Sequence, residues 1–142
     1  MKELRKTGCS FFVDYEKNAA YNTAKERVMT PYWRNFNSQM RFYSPELNEF
    51  FDDFAIDIVK PESLTWEEHG DELCYEAKYL CKGTMSAESY SHNVRKVVLS
   101  AKPLDEGTVE FTMSNLYLPV VVLELKQQPE KPKGVFARLF GK

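Results

Sequence analysis

Glu72-Leu-Cys-Tyr-Glu-Ala-Lys-Tyr-Leu-Cys-Lys82 alternates almost without fault. Leu73, Tyr75, Ala77, Tyr79 and Cys81 fall on one side of an extended chain, and Glu76, Lys78 and Lys82 on the other. A period of two over this length predicts a strand with one buried face and one wet face. Working outward, Leu64 to Glu68 precedes it across His69-Gly70-Asp71, a turn sequence that predicts a hairpin. Gly83 is expected to end the strand, and Thr84 to Asn93 reads as a strand edge or a loop. Further on, Val97, Leu99 and Ala101 alternate up to Pro103, and Asp105-Glu106-Gly107 turns the chain. Val109, Phe111 and Met113 then alternate with Glu110, Thr112 and Ser114. Tyr117 to Leu125 is the most apolar stretch, with Val120, Val121 and Val122 in a row. It predicts a central strand covered on both faces, with Pro119 tolerated near its start.

The first third of the chain changes period. Gly8 to Asp14 reads as a short strand, after which Asp14 can cap a helix from Tyr15 to about Met29, rich in Ala, Lys and Glu. Thr30-Pro31 ends that helix, because the residue before proline avoids helical dihedrals. Tyr32 to Tyr43 fits two templates: Trp33, Phe36 and Met40 match helical spacing, and Phe36, Met40 and Phe42 match alternation. Ser44-Pro45 is a helix start, with Leu47, Phe50, Phe51 and Phe54 on the buried side. Phe54, Ile56 and Ile58 then alternate as a strand before Lys60-Pro61-Glu62-Ser63 turns. Helices first and strands after predict an α+β fold, with helices covering a curved antiparallel meander of five or six strands. The cystatin-like or NTF2-like cone resembles this organisation as an architectural analogy.

The 142 residues suffice for one domain with a real core, and 43% hydrophobic residues argue against general disorder. Residues 1–127 are read as that domain and 128–142 as a linker and tail. No window reaches the roughly 20 apolar residues of a membrane span, and the run Cys9 to Val13 is too short for a signal peptide's core. The expectation is a cytoplasmic protein. Cys9, Cys74 and Cys81 are odd in number and lack metal-ligand spacing, so they are expected reduced. The net charge of −2 is uneven. From Glu130 onward four basic residues face one acid, and the rest of the chain is acidic. Acidic balance argues against nucleic acid as a partner.

Motifs for chemistry are missing. The six glycines are scattered and form no phosphate loop, and there is no nucleophile elbow or zinc-protease motif. His69 lies among Glu67, Glu68 and Asp71 in a turn, where charged residues are ordinarily just solvated. Asp52, Asp53 and Asp57 make an acidic patch. It could receive the molecule's own basic tail. No metal and no cofactor is expected. A ligand pocket between helices and sheet would draw on Cys9, Tyr75, Tyr79 and His92.

The sequence ends in Lys133-Gly-Val-Phe-Ala-Arg-Leu-Phe-Gly-Lys142, after a lead with Pro129 and Pro132. On helical spacing Val135, Phe136, Leu139 and Phe140 share a face, flanked by Lys133, Arg138 and Lys142. This ending resembles the membrane-targeting helix of the MinD family of cell-division ATPases. The resemblance covers about ten residues, and the ATPase's phosphate loop is absent, so activity does not carry over. It implies apolar residues entering an interface while the basic ones meet anionic headgroups. The same face would also fit a groove on a protein. The reading of the whole is a non-enzymatic cytoplasmic adaptor or regulatory protein. Its tail would dock on a partner protein or peripherally at the inner membrane face, the latter needing a homodimer to hold. The alternative is a small-molecule-binding or enzymatic domain with a pocket between helices and sheet.

Overall fold

The computed structural model describes residues 1–126. The expectations for the tail, which rest on Lys133, Val135, Phe136, Arg138, Leu139, Phe140 and Lys142, lie outside the described residues. Strands β1 (Lys2–Lys6) and β2 (Cys9–Val13) precede helices α1 (Tyr15–Ala24), α2 (Pro31–Tyr43) and α3 (Pro45–Asp53). Strands β3 (Ser63–His69), β4 (Glu72–Met85), β5 (Tyr90–Val94), β6 (Val97–Asp105) and β7 (Thr108–Pro119) follow, then a single turn, α4 (Leu123–Lys126). The fold is α+β, with one seven-stranded antiparallel sheet in the order β1-β2-β4-β7-β6-β5 and β3 also on β4. β4 is long enough to carry β3 along Glu72–Lys78 and β2 along Gly83–Met85, while β7 pairs from Glu72 to Lys82. The sheet curves so far that Phe11 of β2 and Tyr90 of β5 touch edge to face, 5.5 Å between centroids.

The core is the face the alternation named. Leu73, Tyr75, Ala77, Tyr79 and Cys81 are buried, as are Val97, Leu99, Ala101, Val109, Phe111 and Met113. Against them pack Phe36 and Met40 from α2 and Leu47, Phe50 and Phe51 from α3. Phe42 stands 86% exposed, which settles the two templates for this stretch in favour of the helix. Ser44 caps α3, its Oγ accepting from the Leu47 amide at 3.2 Å, and Asp14 caps α1 by accepting from Lys17 at 3.1 Å. Each fully buried phenylalanine contributes about 1.5–3 kcal/mol by leaving water.

Four local expectations give way. α1 stops at Ala24, where Lys25 turns extended and sends its ammonium to the Lys60 carbonyl at 2.9 Å. Residues 54–58 form no strand. Their backbone is held from α1 instead, with Asn22 Nδ2 donating to the Ala55 carbonyl and the Asp57 amide donating to Asn22 Oδ1. Gly83 does not end β4. It lies at φ +154°, where a Cβ would stand 2.5 Å from the Phe12 carbonyl oxygen, so glycine is what lets β2 approach. The Val120–Val122 run leaves the sheet. β7 ends at Pro119 and reaches that far as one strand by absorbing a bulge at Asn115, which takes φ +59°. β1 is an additional strand that the sequence reading did not contain.

Candidate functional site

Three elements meet in a cleft where the curled sheet nearly closes on itself. α3 supplies Glu46, Glu49, Phe50 and Asp53, spaced three, four and seven apart and so on one face. The end of β1 and the turn after it supply Arg5, Lys6 and Thr7, and β5 supplies Tyr90, His92 and Val94. The cleft encloses about 250 Å³. Its floor is aromatic: the rings of Phe50 and Tyr90 stack with centroids 6.2 Å apart. Lys6 Nζ lies 5.1 Å above the Phe50 ring and 2.7 Å from Asp53 Oδ2, so the chain's own ammonium occupies a cation–π and carboxylate position. His92 Nε2 stands 3.3 Å from Glu46 Oε2 at the mouth. Burial raises the Tyr90 hydroxyl above its usual range, with the Cys9 thiol adding to the effect.

The sequence-derived pocket residues divide. His92 lines the cleft, and Cys9 lies behind Tyr90, buried, with Sγ 3.8 Å from the Ser86 hydroxyl. Tyr75 and Tyr79 sit elsewhere under the helices, and both hydroxyls are committed. Tyr75 donates to the Tyr32 carbonyl at 2.8 Å and accepts from Asn35 Nδ2 at 3.2 Å. Tyr79 donates to the Ile58 carbonyl at 2.6 Å. Burial pushes Tyr75 up to about 12 and Tyr79 well above the usual tyrosine range. The structure therefore does not gather the four into one pocket. Lys6, Glu46, Phe50 and Tyr90 went unmarked as site residues. The readable signal was the spacing of α3, whose acidic residues continue the face begun by Phe50.

A wider groove of about 660 Å³ opens across the helical layer. Tyr15, Ala19, Asn22 and Thr23 of α1 form one wall, Arg41, Asn48 and Asp52 the other, and the segment from Ala55 to Ile58 the floor. Arg41 reaches Asp57 at 3.5 Å, whereas Asp52 makes no ion pair among the described residues. Beside the groove, Tyr21 donates to Glu62 at 2.5 Å and Lys25 holds the same carboxylate at 3.1 Å. The hydrogen bond to Glu62 raises Tyr21 to about 12. Burial pulls Glu62 upward, but the Tyr21 hydroxyl and the Lys25 ammonium outweigh it and hold the carboxyl below its ordinary range. This cluster latches the end of α1 to the entry of β3.

The third feature is the point where the described chain ends. Asn35, wholly buried in α2, accepts from the Val121 amide at 2.7 Å and the Val122 amide at 3.2 Å. It also donates to the Pro119 carbonyl at 3.1 Å, a carbonyl that Gln39 Nε2 reaches as well. Arg34 pairs with Glu124 of α4. The chain's exit is thus fastened to α2 at its first turns.

Cys74 faces outward on β4, and its contact with Tyr117 raises that hydroxyl. His69 ends β3 with its ring edge-on to Tyr117. Among the described residues no cluster of three or more His, Cys, Asp or Glu is placed to hold a metal, and no helix is long and apolar enough to cross a membrane. Comparison with protein-family models, curated proteins and solved structures finds no match.

Proposed function

We propose that this chain is a non-enzymatic cytoplasmic adaptor or regulatory protein, and that its segment 133–142 docks on a partner protein. The observation that supports this reading is the fastening of the chain's exit to α2. Asn35 and Arg34 hold Val121, Val122 and Glu124 against α2, so on this reading the docking segment is presented from a fixed side of the helical layer. The aromatic packing between helices and sheet supports it from the other side. Phe11, Phe54 and Phe111 lie within 5.1, 4.9 and 5.8 Å of one another there, in the space an interior pocket would need.

The test compares the full chain with Phe136→Asp/Phe140→Asp, which places charges in a contact that must be dry. Wild type should retain a protein partner that the double variant loses. Sedimentation with anionic vesicles at low salt is run beside it. Strong, salt-sensitive vesicle binding by wild type would move the reading to a membrane surface. Equal capture by both chains would refute it.

The cleft of Glu46, Phe50, Tyr90 and His92 favours a second reading, a small-ligand site. An amine or guanidinium compound could then compete with Lys6 for Asp53 and the Phe50 ring. Chemical-shift changes confined to the cleft on titration with such compounds would support that reading.

A further inference from the structure

Phe42 is the most exposed aromatic residue among the described ones, at 86%, and no contact inside the domain accounts for it. A lone exposed phenylalanine needs no explanation. This one, however, belongs to a line of features that begins at the chain's exit. Arg34, Ser38 and Phe42 are four residues apart and form one row along the outer side of α2. The row starts where Arg34 holds Glu124 of α4. It passes Phe42 about 12 Å further on, at roughly 1.5 Å per residue. There Arg41, the neighbour of Phe42, forms part of the wall of the 660 Å³ groove. Beyond it the exposed carboxylate of Asp52 stands without an ion pair among the described residues. The exit, the row and the groove are therefore consecutive.

The sequence after Lys126 matches this line in length and chemistry. The lead from Gln127 to Lys133 has seven residues and spans up to roughly 23 Å when extended, enough to pass Phe42. The segment 134–142 then carries Val135, Phe136, Leu139 and Phe140 with Arg138 and Lys142. Its apolar side chains suit the exposed Phe42 ring and the half-buried Ala19 and Ala55 of the groove. Its cations suit Asp52 and the acidic body. We propose that residues 134–142 dock in cis along the outer row of α2 and into the α1–α2–α3 groove. In this closed form the segment that recruits a partner is covered by its own domain, and the partner must displace it. The inference rests on the reading of 133–142 as the docking element. It goes further by naming the resting site of that element and the competition that regulates it.

The test is hydrogen exchange on the full chain, read by mass spectrometry on the C-terminal peptide, against a synthetic peptide of residues 127–142 as the unprotected reference. Amides of 134–142 should exchange about tenfold more slowly in the protein, as a largely closed population requires. Phe42→Ser should bring them close to the reference rate, and Asp52→Lys should do so in part. Both positions are solvent-exposed, so the fold survives both changes. Reference-rate exchange in wild type would overturn the proposal, as would protection that ignores both substitutions. Protection that grows with protein concentration would assign the groove to a second copy's tail and overturn docking in cis. Partner capture distinguishes the layers. If Phe136→Asp/Phe140→Asp abolishes capture while wild type shows no protection, the docking element stands and only its closed form falls. If the segment is protected but the double variant captures normally, the closed form stands and the recruiting role falls.

Discussion

The inner and outer sides of α2 are built on opposite principles. Inward, Asn35, Phe36 and Met40 are wholly buried, and the polar one of the three is fully bonded. Outward, Arg34, Ser38, Arg41 and Phe42 meet solvent, and Phe42 does so with nearly its whole surface. Packing explains Asn35, Phe36 and Met40, whereas Asn37 is buried with its Oδ1 unpaired and the outward phenylalanine has no reason inside the domain. A residue that stability does not account for is where a docking function is best sought, and α2 carries that residue on the side next to the chain's exit.

Breaking the inner side should have the largest effect. Phe111→Ala removes a wholly buried ring in contact with Phe11, Phe50, Phe51 and Phe54. Urea titration should show a loss of about 3–5 kcal/mol. A loss below about 1 kcal/mol would mean the centre is looser than drawn. Asn35→Ala should cost somewhat less, about 2–3 kcal/mol, because it leaves two backbone amides and the Tyr75 hydroxyl short of partners. It should also free α4, visible as faster hydrogen exchange at 121–126. Exchange there that stays at the wild-type rate would contradict the fastened exit. Gly83→Ala comes next, at about 1–3 kcal/mol of overpacking against the Phe12 carbonyl.

A pH series sharpens the same contrast. Tyr75 is held neutral by burial up to about pH 12, whereas an unfolded tyrosine loses its proton near 10. Its folded pKa is the higher one, so its contribution is fully present below about pH 10 and is lost as pH rises towards 12. Tyr79 adds in the same direction. Urea midpoints should fall over that window, and Tyr75→Phe should flatten the fall. A midpoint independent of alkaline pH in wild type would argue against the buried hydroxyls. The outer latch should matter least: Tyr21→Phe removes a half-exposed bond to Glu62 and should cost no more than about 1 kcal/mol by thermal melt.

These contrasts also show what could be read before the structure. The β4 alternation was legible because a curved sheet with one covered face imposes a strict period of two, and the caps at Asp14 and Ser44 are local chemistry. The segment from Phe54 to Ile58 misled because its isoleucines are buried as a strand's would be. What decides its backbone is the Asn22 side chain of a distant helix. Val120 to Val122 misled because a valine run looks like a central strand, while Asn35 takes the amides that a sheet neighbour would have taken. The cleft was half legible. His92 stood out as a histidine, but Lys6 and Glu46 join it only through the curl of the sheet. The groove and the Phe42 row needed the helix assignment of α2, which the sequence left between two templates.

One comparison reaches the central claim most directly: partner capture by the full chain and by a chain stopped at Gln128, with a thermal melt as control. The two should melt within a few degrees of each other, because the core described above is built from residues up to Leu118 and the proposed docking in cis must be weak enough for a partner to displace it. Only the full chain should retain the partner. A shortened chain that captures the same partner would contradict the account and place the function on the domain body, with the cleft of Phe50, Tyr90 and His92 as the first place to look.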